Sequence, residues 1–192
     1  MAGSKSIHTP SPGNSFSPAG VALPPMRMPH LDLVYRIVCD MDPAVSEIRK
    51  AGGTGATWLV LPILKGVVRG PRIEGEIVER SGADWAEQVS PSKVFARLNA
   101  RYTLRTNDDV HILVNAHGIC RAGPGRAEKL EPSMSQDDVE YFTHITFSAP
   151  GDSVYDWMNG IFALGVMSMF EGRPVVDCYR LTNFPGRPAE KL

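Results

Sequence analysis

No run of about 18 apolar residues occurs anywhere in the chain, so a membrane-spanning helix is not expected. A basic surplus is missing too: 20 Lys and Arg stand against 21 Asp and Glu, a formal net charge of −1. Nucleic-acid binders draw much of their affinity from cations that displace phosphate counterions, so this balance argues against a DNA or RNA partner. Cysteine is scarce and odd in number. Cys39, Cys120 and Cys178 lie far apart, with no CxxC and no Cys/His pair at zinc-ligand spacing. They read as separate reduced thiols, some buried as small hydrophobes, which points to a reducing compartment. The first thirty residues lack the apolar stretch of a signal peptide, Val21-Ala22-Leu23 being the nearest approach, and are too poor in Arg for a transit peptide. The cytoplasm is the expected location.

What the chain does have is enough apolar residue, 43%, to bury a core in one domain without staples. Residues 1–29 carry prolines 10, 12, 18, 24, 25 and 29 among Ser and Gly, and are expected to be a disordered arm. A single domain is expected over 30–184, and a tail over 185–192. From His30 onward the signal is strand after strand. Leu31, Leu33, Tyr35, Ile37 and Cys39 alternate with Asp32, Val34, Arg36, Val38 and Asp40. Further strands are expected at 58–64, 66–69, 72–78, 83–88, 94–105, 110–119, 139–148, 161–169 and 175–182. Thr106-Asn107-Asp108-Asp109 supplies a hairpin turn. One short helix is expected, capped by Asp152-Ser153 and running to Asn159. Residues 121–138, rich in Gly, Pro and charge, read as a long loop.

Many short strands with one helix argue for an all-β fold. A closed antiparallel barrel of the calycin or lipocalin kind is favoured over a sandwich. Leu98, Ala100, Tyr102 and Leu104 face one way; Asn99, Arg101, Thr103 and Arg105 face the other.

The familiar catalytic motifs fail one by one: no GxGxxG, P-loop, GxSxG or HExxH occurs. Gly52-Gly53-Thr54-Gly55 reads as a mobile turn, since no helix start follows it. His111 and His117 share a strand face but stand roughly 20 Å apart, too far for one metal, so no metal is expected. What remains is a scatter of acid–base side chains: Glu74, Glu76, Asp84, Arg101, Tyr102, His117, Tyr141, His144 and Asn159. Each has a plain alternative. Glu74 and Glu76 suit a solvated strand face, Asp84 a turn with Trp85 packing beside it, and Arg101 a surface ion pair. His117 and His144 are each more often structural than catalytic.

The segment Gly66-Val-Val-Arg-Gly-Pro-Arg-Ile-Glu-Gly-Glu76, followed by Gly82-Ala-Asp-Trp85, resembles the family catalogued as domain of unknown function 3237. The resemblance continues through Leu98-Asn-Ala-Arg-Tyr102-Thr-Leu-Arg-Thr106, Tyr141-Phe142 and Tyr155-Asp-Trp-Met-Asn159, covering about residues 31 to 181. It implies a small β-barrel, often a homo-oligomer, and supplies no reaction. Fungal members resembling this chain sit among secondary-metabolite enzymes, which points to a small, hydrophobic, oxygenated substrate. The matches carried over are Asp84, Trp85, Arg101, Tyr102, Tyr141, Trp157 and Asn159. The chain departs from the family where an Arg and a Thr usually follow Tyr-Phe, since Thr143 and His144 stand there. It departs again where a Gly usually follows the hairpin turn and Asp109-Val110 stands instead.

These observations converge on a cofactor-independent cyclase or isomerase working by acid–base ring closure on a phenolic or polyketide-type small molecule. Hydroxyl addition to an alkene or carbonyl is a concrete case. In that reading Asp84 is the acid, its pKa raised by an apolar mouth, Arg101 orients a substrate oxygen and His144 is the base. Trp85, Tyr102, His117, Tyr141, Trp157 and Asn159 would complete the substrate pocket. Tyr141 and His144 are three apart, so a regular strand sends one inward and the other outward unless a bulge intervenes. The rival reading is a non-catalytic carrier of the same ligand. A buried carboxyl without a partner separates the two, because a carrier gains nothing from its cost. An interaction module built on the Pro-rich arm is a third reading, without a clear PxxP signature.

Overall fold

The alternating segments become ten strands in the computed structural model, which describes residues 26–49, 57–89, 95–124 and 131–190. They are β1 (His30–Met41), β2 (Ser46–Arg49), β3 (Thr57–Arg69), β4 (Glu74–Ile77), β5 (Gly82–Gln88), β6 (Phe95–Thr106), β7 (His111–Ala122), β8 (Val139–Ser148), β9 (Ala163–Phe170) and β10 (Arg173–Thr182). Neighbours pair antiparallel in the order β1-β10-β9-β8-β7-β6-β4-β3-β2, with β5 inserted between β3 and β6. A further β1–β3 ladder, from Arg36↔Arg69 to Met41↔Ile63, brings the sheet back on itself. The all-β barrel expectation is met, though the wall is not uniformly closed. β8 and β9 pair only from Phe142↔Val166 to Ile145↔Ala163.

Inward positions recur every second residue, as a strand requires. Leu98, Ala100, Tyr102 and Leu104 are all buried on β6, and Ile112, Val114 and Ala116 on β7. On β1 the period breaks at a register shift between Leu33 and Tyr35. Tyr35, Ile37 and Cys39 point in, whereas Leu31 and Leu33 are exposed. The hairpin turn forms where expected, with Asp109 at φ 64 donating its N–H to the Thr106 carbonyl. Asp109 thus holds a left-handed position that glycine would occupy without strain.

Three expectations need correcting. Segments 58–64 and 66–69 are one strand, because Gly66 is a space and not a stop. A Cβ there would lie 2.7 Å from Ile77 Cδ1, so its absence lets Ile77 fill the barrel. β2 was not anticipated. The helix is also shorter than expected, a single 3₁₀ turn at Asp156–Gly160 with no side-chain cap. Ser153 is used earlier: its hydroxyl donates to the Pro150 carbonyl (2.7 Å) and accepts from Tyr155 N–H (3.2 Å). Most of the 1–29 arm and the Gly52–Gly55 turn lie outside the described residues, as do residues 125–130 of the long loop. The rest of that loop holds the pair Met134↔Met169.

The core has two parts. Tyr35, Ile37, Leu104, Ile112, Val114 and Phe147 fill one end, closed by Tyr155, Trp157 and Met158 from the 3₁₀ turn. Ala86, Leu98, Cys120, Met134 and Val139 form the second cluster, with Leu59, Leu61, Tyr141 and Met169 packed against it. No helix among the described residues is long and apolar enough to cross a membrane.

Candidate active site

Small inward residues leave space that large ones would fill. β5, β6 and β7 present Ala86, Ala96, Ala100 and Ala116 to the barrel axis, and around them is a cavity of about 580 Å³. That volume suits a small organic ligand. Its wall is chiefly apolar, with Ile37, Leu59, Leu61, Leu98, Met167 and Val176 among its members.

Asp84 is one of two carboxyls among the described residues lining this wall, Asp42 being the other. On β5 it pairs with Leu61 on one side and Ala100 on the other, which fixes its position at mid-wall. The β5–β6 ladder breaks just beyond, at Trp85 and Ala86, and resumes at Glu87↔Arg97. In the gap Asn99 N–H donates to Asp84 Oδ1 at 3.0 Å. Gly82 lets β5 approach β6 closely enough for this, since a Cβ there would meet Arg101 O at 1.9 Å. One carboxylate oxygen is therefore held by the backbone and the other is available to the cavity. No Lys, Arg or His is among the described residues lining that cavity. Burial accordingly pushes the Asp84 carboxyl up to about 6, and the Asn99 N–H offsets only part of the rise.

Three hydroxyls share the cavity wall with it: Tyr102 from β6, and Tyr141 and Thr143 from β8. Burial raises the Tyr141 phenol well above its usual range, and the Asp84 charge adds to the effect. Tyr102 is raised by burial first, and then by neighbouring Cys39. Both phenols therefore stay protonated as hydrogen-bond donors across ordinary pH. Cys39 and Cys120 also line the space, and burial lifts their thiols to about 12 and about 11. They are inert thiols, not nucleophiles. At the rim Asp42 differs from Asp84, since Arg80 Nη1 donates to its Oδ2 at 3.4 Å.

The structure brings Asp84, Tyr102 and Tyr141 together and leaves the other expected residues elsewhere. Arg101 is exposed on the outer face of β6, one residue out of phase with Tyr102. His117 and His144 are cross-strand partners on the outer wall, and the His144 ring stacks on Phe162 at 4.4 Å. His144 is therefore outside the cavity, not in the inward position expected of a base. Trp85, 39% exposed, also points outward. Trp157 is buried in the closed end beneath the Arg72 guanidinium, 4.1 Å from the ring centroid. Asn159 is a structural clamp. Its Oδ1 accepts from Ala149 N–H (2.8 Å), and its Nδ2 donates to Ala149 O and Asp156 Oδ1, both at 3.0 Å. Glu74 and Glu76 are exposed, the latter paired with Arg105.

Thr143, Cys39 and Cys120 line the cavity without having been singled out for it. Parity would have found Thr143, which is two residues from Tyr141 on the same strand. Of the two departures after Tyr-Phe, the one at 143 therefore faces the cavity and the one at 144 does not.

This chain belongs to the family described as protein of unknown function (DUF3237), whose model matches residues 29–181. No curated protein matches it. Among solved structures it is similar to a beta-barrel like protein from Acinetobacter baumannii, at 22% identity and TM-score 0.67, covering 84% of this chain and 99% of that one. A protein of unknown function from Clostridium acetobutylicum is similar at 22% identity and TM-score 0.66, over 80% and 99% of the two chains. An enzyme from Penicillium herquei is similar at 16% identity and TM-score 0.59, over 84% and 99%. At these identities the likeness is one of fold.

Proposed function

We propose that this protein is a cofactor-independent cyclase or isomerase that uses Asp84 to close a ring in a small, neutral, oxygenated molecule of secondary metabolism. A phenolic or polyketide-type compound fits the description. The observation that carries the reading is Asp84 itself, a carboxyl in an apolar cavity with no cationic partner among the described residues and a pKa of about 6. A carboxyl tuned to that range exchanges protons readily near neutral pH.

In the reaction, protonated Asp84 delivers its proton to an alkene carbon or a carbonyl oxygen, and an internal hydroxyl attacks the electrophilic carbon that results. With His144 outside, the carboxylate just formed is the group placed to take the hydroxyl proton, which restores the acid and leaves no net proton change. Tyr102 and Tyr141 donate hydrogen bonds to substrate oxygens, the role first given to Arg101. Holding the hydroxyl against its target supplies much of the acceleration, as intramolecular reactions show. The absence of cations among the described lining residues favours a neutral substrate over a carboxylate or phosphate. The Penicillium herquei neighbour, described as an enzyme, is compatible with catalysis on this fold.

A non-catalytic carrier is the second reading, favoured by the predominantly apolar wall. The test starts from a compound that co-purifies with the protein, identified by mass spectrometry together with its ring-closed isomer. Asp84→Asn should lower conversion by about 10²-fold or more while the compound still binds. Equal conversion by the folded variant refutes the acid assignment and leaves the carrier.

A further inference from the structure

We propose that the barrel cavity has a lateral entrance between β8 and β9, stoppered by Met134. This rests on the reading of the cavity as a ligand site and adds how the ligand reaches it. β8 begins at Val139 and β9 extends to Phe170, yet their ladder ends at Phe142↔Val166. Toward the rim the two strands part, leaving Val139–Tyr141 and Met167–Phe170 without each other as partners. Residues 132–134 fill the breach. Met134 exchanges both backbone hydrogen bonds with Met169, at 2.9 and 3.0 Å. Gly172 N–H donates to the Pro132 carbonyl (2.7 Å) and Glu171 N–H to Ser133 Oγ (3.1 Å).

The Met134 side chain is buried, in one cluster with Cys120, Val139 and Leu98 and beside Tyr141 and Met169. It packs against Leu98, Cys120, Tyr141 and Met169, which themselves line the cavity. Beside Met134, between residues 133–136 and the strands β9, β10 and β1, is a crevice of about 510 Å³, lined by Ser133, Ser135, Gln136, Ser168 and the Arg36–Asp177 ion pair among others. Met167 and Met169 border both this crevice and the cavity. Methionine has three rotatable bonds and no branch, so a wall of Met134, Met167 and Met169 can rearrange where Leu or Ile would not. The stopper is held by the few bonds named above and by the Glu131 N–H, which donates to Met134 Sδ at 3.1 Å, instead of by a ladder, so it lifts at lower cost than a strand does.

A hydrogen-bonded antiparallel pair has Cα atoms about 5.5 Å apart, within disulfide range. The pair Met134→Cys with Met169→Cys, in a Cys120→Ala background that removes the neighbouring thiol, therefore locks the breach. Stopped-flow binding of the neutral fluorophore N-phenyl-1-naphthylamine reads the effect. Oxidation should slow association and dissociation together by about tenfold or more, leave affinity within about twofold, and be reversed by dithiothreitol. Oxidised and reduced forms that exchange the probe at the same rates overturn the lateral entrance and leave the open rim as the route. Ala116→Phe serves as the control on the cavity and should abolish probe binding. Probe binding that survives it overturns the cavity reading, and the entrance falls with it; loss of binding with unchanged locked rates overturns the entrance alone.

Discussion

Asp84→Asn should make the protein more stable at pH 8 and leave it unchanged at pH 4. In the folded chain the carboxyl titrates at about 6, against an ordinary value of 3.8. At about 1.36 kcal/mol for each pH unit, that difference of roughly two units amounts to about 3 kcal/mol. The sign follows from which form the fold prefers. Because the folded value is raised, the protonated acid contributes stability in full below the unfolded value of about 4 and loses it as pH rises through about 6. Above that, the wild type carries an ionised group in an apolar wall. Asparagine keeps an oxygen for the Asn99 N–H, which Asp84 accepts at 3.0 Å, and has no charge to desolvate. The gap between variant and wild type should therefore open between about pH 4 and 6 and stay constant above. For a chain of this size about 3 kcal/mol corresponds to some 6–12 °C in melting temperature. Thermal melts of both proteins at pH 4, 6 and 8 measure it. A variant that is less stable by the same amount at all three values refutes the reasoning, and shows Asp84 to be a backbone cap whose ionisation costs nothing.

Other variants probe the rest of the site. Ala116→Leu should project into the cavity, cut ligand affinity by about tenfold or more and leave the melting temperature at or above that of the wild type, measured by calorimetry and melting together. Asn159→Ala removes three hydrogen bonds at the closed end and should cost roughly 2–3 kcal/mol in urea unfolding, with ligand affinity unchanged. Arg101→Ala and His144→Ala, both on the outer wall, should leave turnover within about twofold and stability within about 1 kcal/mol.

Period-two alternation sufficed to find most strands and to divide β6 into two faces, because the positions from Ala96 to Leu104 that turn inward are all apolar or aromatic. It faltered where a single residue changes the geometry. The bulge after Leu33 reverses which side chains face in, and nothing local to the sequence marks it. Gly66 carries the letter of a turn but acts by making room for Ile77, a contact between segments eleven residues apart. The same limit governed the site. Asp84 and Tyr141 were recognisable as chemistry-bearing residues, yet their convergence depends on strands closing round a common axis. Arg101 and His144 looked equally suitable by type. Strand parity places Arg101 opposite Tyr102, and His144 opposite Tyr141 once the absence of a bulge between them is known. Asn159 is expected to bind substrate, whereas its side chain holds the Ala149 backbone and Asp156 instead.

The break in the β5–β6 ladder has an evolutionary consequence. Asp84 replaces a missing rung, since its carboxylate takes the Asn99 N–H where no backbone pair is formed. Drift at this position is therefore filtered twice. A residue without an acceptor strands a backbone donor and weakens the wall, whatever the fate of the chemistry. An amide satisfies the wall and relieves the charge, but abolishes the proton. On the proposed reading, descendants that abandon catalysis should thus pass through Asn at 84, gaining stability as they do so, and a lineage of pure binding barrels on this scaffold would carry that substitution as its mark.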